Sequence, residues 1–190
     1  IVNYGGTLTV ASSTFSGNSA GSGGAIRSPI GGTVTVTNST FSGNTTTFGG
    51  AVVYSWGGTT TLTNVTVSGS TVGSASALYV EFAGVMNLNN SIVANTTGGS
   101  GDCANDNGGI VNAQNSLIES GLGCVNGTNS ANLTGDPNLG ALANNGGTTQ
   151  TLALLPGSSA INAGSNALVP GGVTTVQRGA ARIMGGTVDM

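Results

Sequence analysis

Apolar and polar residues alternate along this chain in short runs, and the runs return every twenty-six residues. Leu8 and Val10 are separated by a single threonine; twenty-six positions on, so are Val34 and Val36. Thr60 with Leu62 and Met86 with Leu88 continue the series at the same spacing. Alternation with a period of two is the pattern of a half-buried strand, and Thr and Val suit a pleated surface. No run has the three-to-four spacing of an apolar helical face, and glycine and β-branched residues dominate. The prediction is strand throughout.

The words around the strands recur as well. Gly5-Gly6-Thr7 matches Gly31-Gly32-Thr33 and Gly57-Gly58-Thr59, and Ser13-Thr14-Phe15-Ser16-Gly17-Asn18 matches Ser39-Thr40-Phe41-Ser42-Gly43-Asn44. Gly23-Gly24-Ala25-Ile26 returns as Gly49-Gly50-Ala51-Val52. A fourth copy runs from Val85 to Val93, and a fifth, Ile110 to Ile118, arrives one residue short. A fixed period in this range signals stacked supersecondary units. Parallel pairing of copy upon copy keeps equivalent residues aligned, about 4.8 Å apart. Hairpins do not.

The expected fold is therefore all-β: a right-handed parallel β-helix, a solenoid of about five coils of 25–26 residues, its hand taken from the usual handedness of parallel crossovers. Phe15, Phe41, Val67, Val93 and Ile118 form one apolar column; Val10, Val36, Leu62, Leu88 and Ala113 form another. Ser12, Asn38, Asn64, Asn90 and Asn115 form a polar column at a bend, where asparagine tolerates turn conformations and stacked amides can hydrogen-bond along a ladder. That column is read as structural. The beat fails beyond Ser120, so residues 1–132 are read as coils and 133–190 as a loop-rich C-terminal cap of the same domain, covering the last open turn.

Charge is scarce: three basic and six acidic residues, with no His and no Lys. The surface must then be Thr, Ser, Asn and Gly, and little repulsion opposes self-association. Without a basic patch nucleic acid is not expected as a partner. No apolar run is long enough to span a membrane. The chain enters its first coil at Ile1-Val2-Asn3-Tyr4, which reads as the ordered part of something longer. Cys103 and Cys124 lie one short coil apart; a disulfide between them is favoured over two buried thiols, because so lysine-poor and Thr/Asn-rich a chain looks secreted.

Chemistry is thin. A glycanase needs two or three converging carboxylates, yet Glu81, Asp102, Asp106, Glu119, Asp136 and Asp189 do not stack on one another in the repeat. Asp102, Asn105, Asp106 and Asn107 are hard oxygen ligands in a Gly-flanked loop and make a weak calcium candidate, against the plainer reading of a polar surface loop. The outward threonine pairs Thr7/Thr9, Thr33/Thr35 and Thr59/Thr61 suit an ice-binding face, but Val85 and Asn87 break the series. Tyr54, Trp56, Tyr79 and Phe82 are candidates for stacking on a sugar ring, Trp56 and Tyr54 foremost. No cofactor is implied.

The early coils, with Asn-Ser-Thr-Phe-Ser-Gly-Asn and then Gly-Gly-Ala, are similar to polymorphic outer-membrane-protein repeats. From Asn90 the chain resembles the bacterial choice-of-anchor Q domain. The matching phrases include Asn90-Ser91-Ile92-Val93, Gly101-Asp102-Cys103, Asp136-Pro137-Asn138-Leu139-Gly140, Asn144-Asn145-Gly146-Gly147, Leu154-Leu155-Pro156-Gly157-Ser158 and Gln177-Arg178-Gly179. The resemblance implies a β-helical part of a secreted, surface-held bacterial protein with no established catalytic residues. Two departures stand out. Val176 occupies the place where the family usually has Asp, which removes a partner from Arg178, and the chain stops at Asp189-Met190 without the family's usual ending. The expected function is a non-enzymatic structural module of the cell surface, whose partners are copies of itself, end to end, or surface and matrix components. A carbohydrate-binding or adhesive module is the alternative, and a polysaccharide-degrading enzyme the remoter one.

Overall fold

The computed structural model describes residues 1–190 and is a solenoid of stacked parallel coils. Its first sheet takes one strand per coil: Val2–Tyr4, Ile26–Ile30, Val53–Trp56, Leu78–Glu81 and Cys103–Asn105. A long sheet begins with Thr7–Ala11 and Thr14–Ser16 and continues through Thr33–Ser42 and Thr59–Ser68. It then passes through Val85–Asn89 with Ile92–Ala94 and Ile110–Gln114 with Leu117–Ile118, and ends at Asn129–Ser130. A narrow third sheet stacks Ser19–Ala20, Thr45–Thr46 and Thr71–Val72. No helix is long and apolar enough to cross a membrane.

The register is the one the spacing predicts. Thr33 lies opposite Thr59 and Thr59 opposite Val85, steps of twenty-six, whereas Val85 lies opposite Ile110, a step of twenty-five. Both apolar columns stack inward: Phe15 on Phe41, Val67, Val93 and Ile118, and Val36 on Leu62, Leu88 and Ala113. The Phe15 and Phe41 rings are parallel within 8° at 4.8 Å, the rung distance itself. Phe41 is fully buried, which is worth roughly 1.5–3 kcal/mol for a side chain of this size. Phe15, one rung nearer the open end, is only half-buried, as is Leu8.

Each ten-residue strand of the long sheet turns a corner at its asparagine. Ser12, Asn38, Asn64, Asn90 and Asn115 have φ of 47°, 49°, 55°, 47° and 45°. An L-residue pays about 1–2 kcal/mol for this left-handed conformation, and asparagine is among the few that visit it routinely. Where the first sheet meets the long one, Gly58 (φ +70°) packs so close that a Cβ would lie 2.2 Å from the Gly32 carbonyl oxygen. Only glycine closes that corner.

Two expectations need correction. The asparagine amides do not bond to one another as a ladder: Asn38 donates to the Thr175 carbonyl (2.9 Å), Asn90 to Ser165 (2.9 Å) and Asn115 to Ala163 (3.3 Å). The left-handed corner turns these side chains out of the stack. The segment after 132, in turn, is not confined to the last turn. It forms an antiparallel hairpin, Leu139–Ala143 with Thr151–Leu154, then a 3₁₀ turn at Asn166–Leu168, and runs back along the asparagine corner as a strap. Gln177 Nε2 there reaches the Ser13 carbonyl (3.2 Å) and Thr14 Oγ1 (3.0 Å) in the first coil, while Thr40 Oγ1 donates to Gln177 Oε1 (2.7 Å).

The strap has its own small core. Ile92, Ala94 and Leu117 face away from the main core and are buried beneath Ala160 and Met190. In earlier coils the column of Ile92 and Leu117 holds Thr14, Thr40 and Thr66. The change from threonine to Ile and Leu marks where the strap presses hardest. The far end of the rod is closed by Leu122 and Val125, packed on the main core, and by Asn126 and Asn132, whose Oδ1 atoms accept from the Val111 and Ser116 backbone N–H groups at 2.8 and 2.9 Å.

Candidate functional site

Outward positions of the first sheet carry four of the chain's eight aromatic residues, Tyr4, Tyr54, Trp56 and Tyr79. Strand alternation places Val53 and Leu78 inward, so Tyr54, Trp56 and Tyr79 point outward, with Arg27 in register with Tyr54. Tyr54 and Tyr79 stack at 5.7 Å between centroids, and the Arg27 guanidinium lies 5.9 Å from the Tyr54 ring. At the adjoining corner Trp56 and Phe82 stack at 4.6 Å, with Ile30 and Tyr4 in the rungs before them. Trp56 is 39 % and Phe82 46 % exposed, Ile30 and Tyr4 more so. Pro29, Ile30, Trp56 and Phe82 line a shallow apolar groove.

The backbone is bent to make this pair. Glu81 lies opposite Trp56 and Val85 opposite Thr59, so three residues (Phe82, Ala83, Gly84) fill a bend that two (Gly57, Gly58) fill in the coil before. Phe82 and Ala83 both hold positive φ, 53° and 56°. Such conformations cost on the order of 1–3 kcal/mol each and concentrate at sites of function. Here the strained insertion sets Phe82 over Trp56.

Of the four aromatic candidates, then, Trp56 and Phe82 are exposed, Tyr79 is half-buried, and Tyr54 is buried. Tyr54 points outward as alternation requires, but its neighbours cover it. Its hydroxyl donates to Glu81 Oε1, and Glu81 Oε2 accepts from Asn107 Nδ2 (3.2 Å). Burial, then the Glu81 hydrogen bond and the Glu81 charge, push the Tyr54 phenol well above its ordinary pKa. Burial first and the Glu81 charge second raise Tyr79 as well. Glu81, Asp106 and Asn105 line a second groove with Tyr54, Tyr79 and Phe48. The face thus offers an apolar platform beside a rim of hydrogen-bond acceptors.

The calcium candidate does not assemble. Asp102 and Asp106 flank the strand Cys103–Asn105, so their backbones stand about 13 Å apart at strand rise. Buried Asp102 accepts from the Ser120 N–H (2.7 Å) and Asp106 from the Asn107 N–H (2.7 Å), while Asn105 donates to the Cys124 carbonyl. The expected disulfide is present, Cys103 to Cys124, with Cα atoms 5.8 Å apart. It ties the last strand of the aromatic face to the closing turn of the rod.

No family model matches the chain, and neither a curated protein nor a solved structure is significantly similar to it. What the fold offers must be read from its own surface.

Sequence reasoning missed one site, the corridor between the asparagine corner and the strap. The signal was visible: Ile92-Val93 and Leu117-Ile118 are apolar on both faces of a strand, which requires cover on both sides. Asn64 is the exception in that corridor. It is 8 % exposed, and neither its Nδ2 nor its Oδ1 has a partner. A buried polar group left unpaired costs about 1–3 kcal/mol.

Proposed function

We propose that this chain is a non-enzymatic structural rod of the bacterial cell surface or its surroundings, engaging carbohydrate through its aromatic flank. The observation that carries this reading is the exposed Trp56–Phe82 stack, held by a strained inserted residue and continued by Ile30 and Tyr4. Flat aromatic faces take the C–H face of a pyranose ring, and adjacent carboxylate and amide oxygens take its hydroxyls. Rungs repeating along an axis suit a polymer that repeats along its own. The disulfide supports an oxidising compartment. A glycan array tests the reading: retention of one or more polysaccharides, abolished in Trp56→Ala, is expected. No retained glycan from folded protein would overturn it, and glycan cleavage would overturn the non-enzymatic part.

A further inference from the structure

Asparagine followed by glycine is a labile step in any chain, because no side chain on the glycine shields its backbone nitrogen from the asparagine amide carbon. Three such steps occur here: Asn107-Gly108, Asn126-Gly127 and Asn145-Gly146. The fold locks two of them and leaves the third open.

Asn126 is held at both ends of its amide: Oδ1 accepts from the Val111 N–H (2.8 Å) and Nδ2 donates to the Gly109 carbonyl (3.0 Å). The Gly127 N–H is engaged as well, by the Val111 carbonyl (3.1 Å). Asn145 Nδ2 donates to the Thr151 carbonyl (2.8 Å) and hydroxyl (3.2 Å), and the Gly146 N–H to Asn144 Oδ1 (3.2 Å). The third step differs. The Gly108 N–H has no acceptor in the chain, and Asn107 and Gly108 are both exposed. Asn107 Nδ2 makes a single bond, to Glu81 Oε2 (3.2 Å). A Cβ on Gly108 would meet nothing nearer than the Ala83 nitrogen at 3.9 Å, so a ring has room to form.

We infer that Asn107 is a site of spontaneous deamidation, the one Asn-Gly step of the three that the folded chain leaves open to it. The Gly108 nitrogen gives its proton to water and bonds to Asn107 Cγ; the bond from Cγ to Nδ2 breaks, and the amide leaves as ammonia. Water then opens the cyclic imide at either carbonyl, giving aspartate or isoaspartate, with no oxidant or cofactor. The place gives this reaction a consequence. Asn107 Nδ2 is one of two side-chain donors on the buried Glu81 carboxylate, the other being the Tyr54 hydroxyl. A carboxylate in its stead sets a like charge against Glu81, with Asp106 next to it in the chain. The Asn107 carbonyl also accepts from the Ala83 N–H (3.3 Å), in the bend that carries Phe82, and the longer backbone of isoaspartate displaces it. The aromatic flank thus carries a clock, whether or not it binds sugar.

The test is peptide mapping by mass spectrometry of the whole chain, held for weeks at mildly alkaline pH, once folded and once in denaturant. In denaturant the three steps should convert at similar rates. In the folded protein Asn107 should convert at least tenfold faster than Asn126 and Asn145. Conversion at Asn107 no faster than at either locked step overturns the inference. Its consequence is read from two variants: Asn107→Asp brings the charge, while Asn107→Gly loses the same amide without it and keeps the left-handed conformation (φ 46°). Asn107→Asp should melt below Asn107→Gly at neutral pH. Equal melting temperatures would sever the modification from Glu81 and overturn the clock.

Discussion

Two flanks of one rod, built on one period, have opposite fates. The asparagine corner is clasped by the returning strap at Asn38, Asn90 and Asn115, though not at Asn64, while the aromatic corner is bare. Stacking is the same on both, so the repeat alone decides neither. The difference lies in which chemistry each column repeats. A column of left-handed asparagines presents amide donors and finds backbone carbonyls to bind, whereas a column of Tyr4, Ile30, Trp56 and Phe82 presents flat apolar surface that nothing in the chain covers. A solenoid can hold one chemistry along a column, as on these two flanks, or change it part-way, as the Thr14–Thr40–Thr66 column does at Ile92.

The comparison is broken most severely from the covered side. Leu117→Ala opens a hole beneath the strap and is expected to destabilise by about 2–5 kcal/mol, read by denaturant melts. Reducing Cys103–Cys124 removes a cross-link over a separation of 21 residues, worth roughly 3 kcal/mol on the loop-entropy model. Hydrogen exchange should then rise first in Cys103–Asn105, at the last rung of the bare flank. Next comes a contrast within one column. Asn90→Ala loses the Ser165 bonds in both directions and strains the corner, about 2–3 kcal/mol, whereas Asn64→Gly relieves an unpaired amide and is expected to leave stability unchanged or raise it. Equal losses at the two positions would erase the distinction between a clasped asparagine and an unpaired one.

Alkali should loosen the bare flank. The folded state holds Tyr54 and Tyr79 above their unfolded pKa of 10.0, so the folded protein binds more protons once pH exceeds that value. The stability these phenols contribute is complete below pH 10 and declines above it. A melting temperature that falls from about pH 10 upward, less steeply in Tyr54→Phe, is expected. The smallest effect on folding should come from Trp56→Ala, below about 1 kcal/mol at a surface site, although it removes the proposed sugar platform. A large stability loss there would make the stack part of the scaffold rather than a free face.

Much of this was legible before any coordinates. The inward columns of Phe15 and Val10 and the step shortened at Ile110 follow from spacing, because a parallel stack forces equal positions together, whereas the cysteine pairing rests on nearness in the chain and a composition that looks secreted. Asn38 and its column were legible as a corner, but not the direction of their side chains, since that is set by what lies outside the coil. The strap was illegible for the same reason: it does not repeat, so no column announces where it rests. Tyr54 shows the limit of alternation, which gives the face a residue points from but not whether Tyr79 and Arg27 will shield it.

The reach of Gln177 to Ser13 spans 164 residues, against the twenty-six that separate one rung from the next. Closing short loops is fast and closing long ones is slow, so rungs zip together in order as the chain emerges and the strap docks last. Until it does, Ile92 and Leu117 stand open on a finished rod. A strap that docks late leaves that stripe as the rod's stickiest surface in the meantime, and residues 160–190 are what screens it.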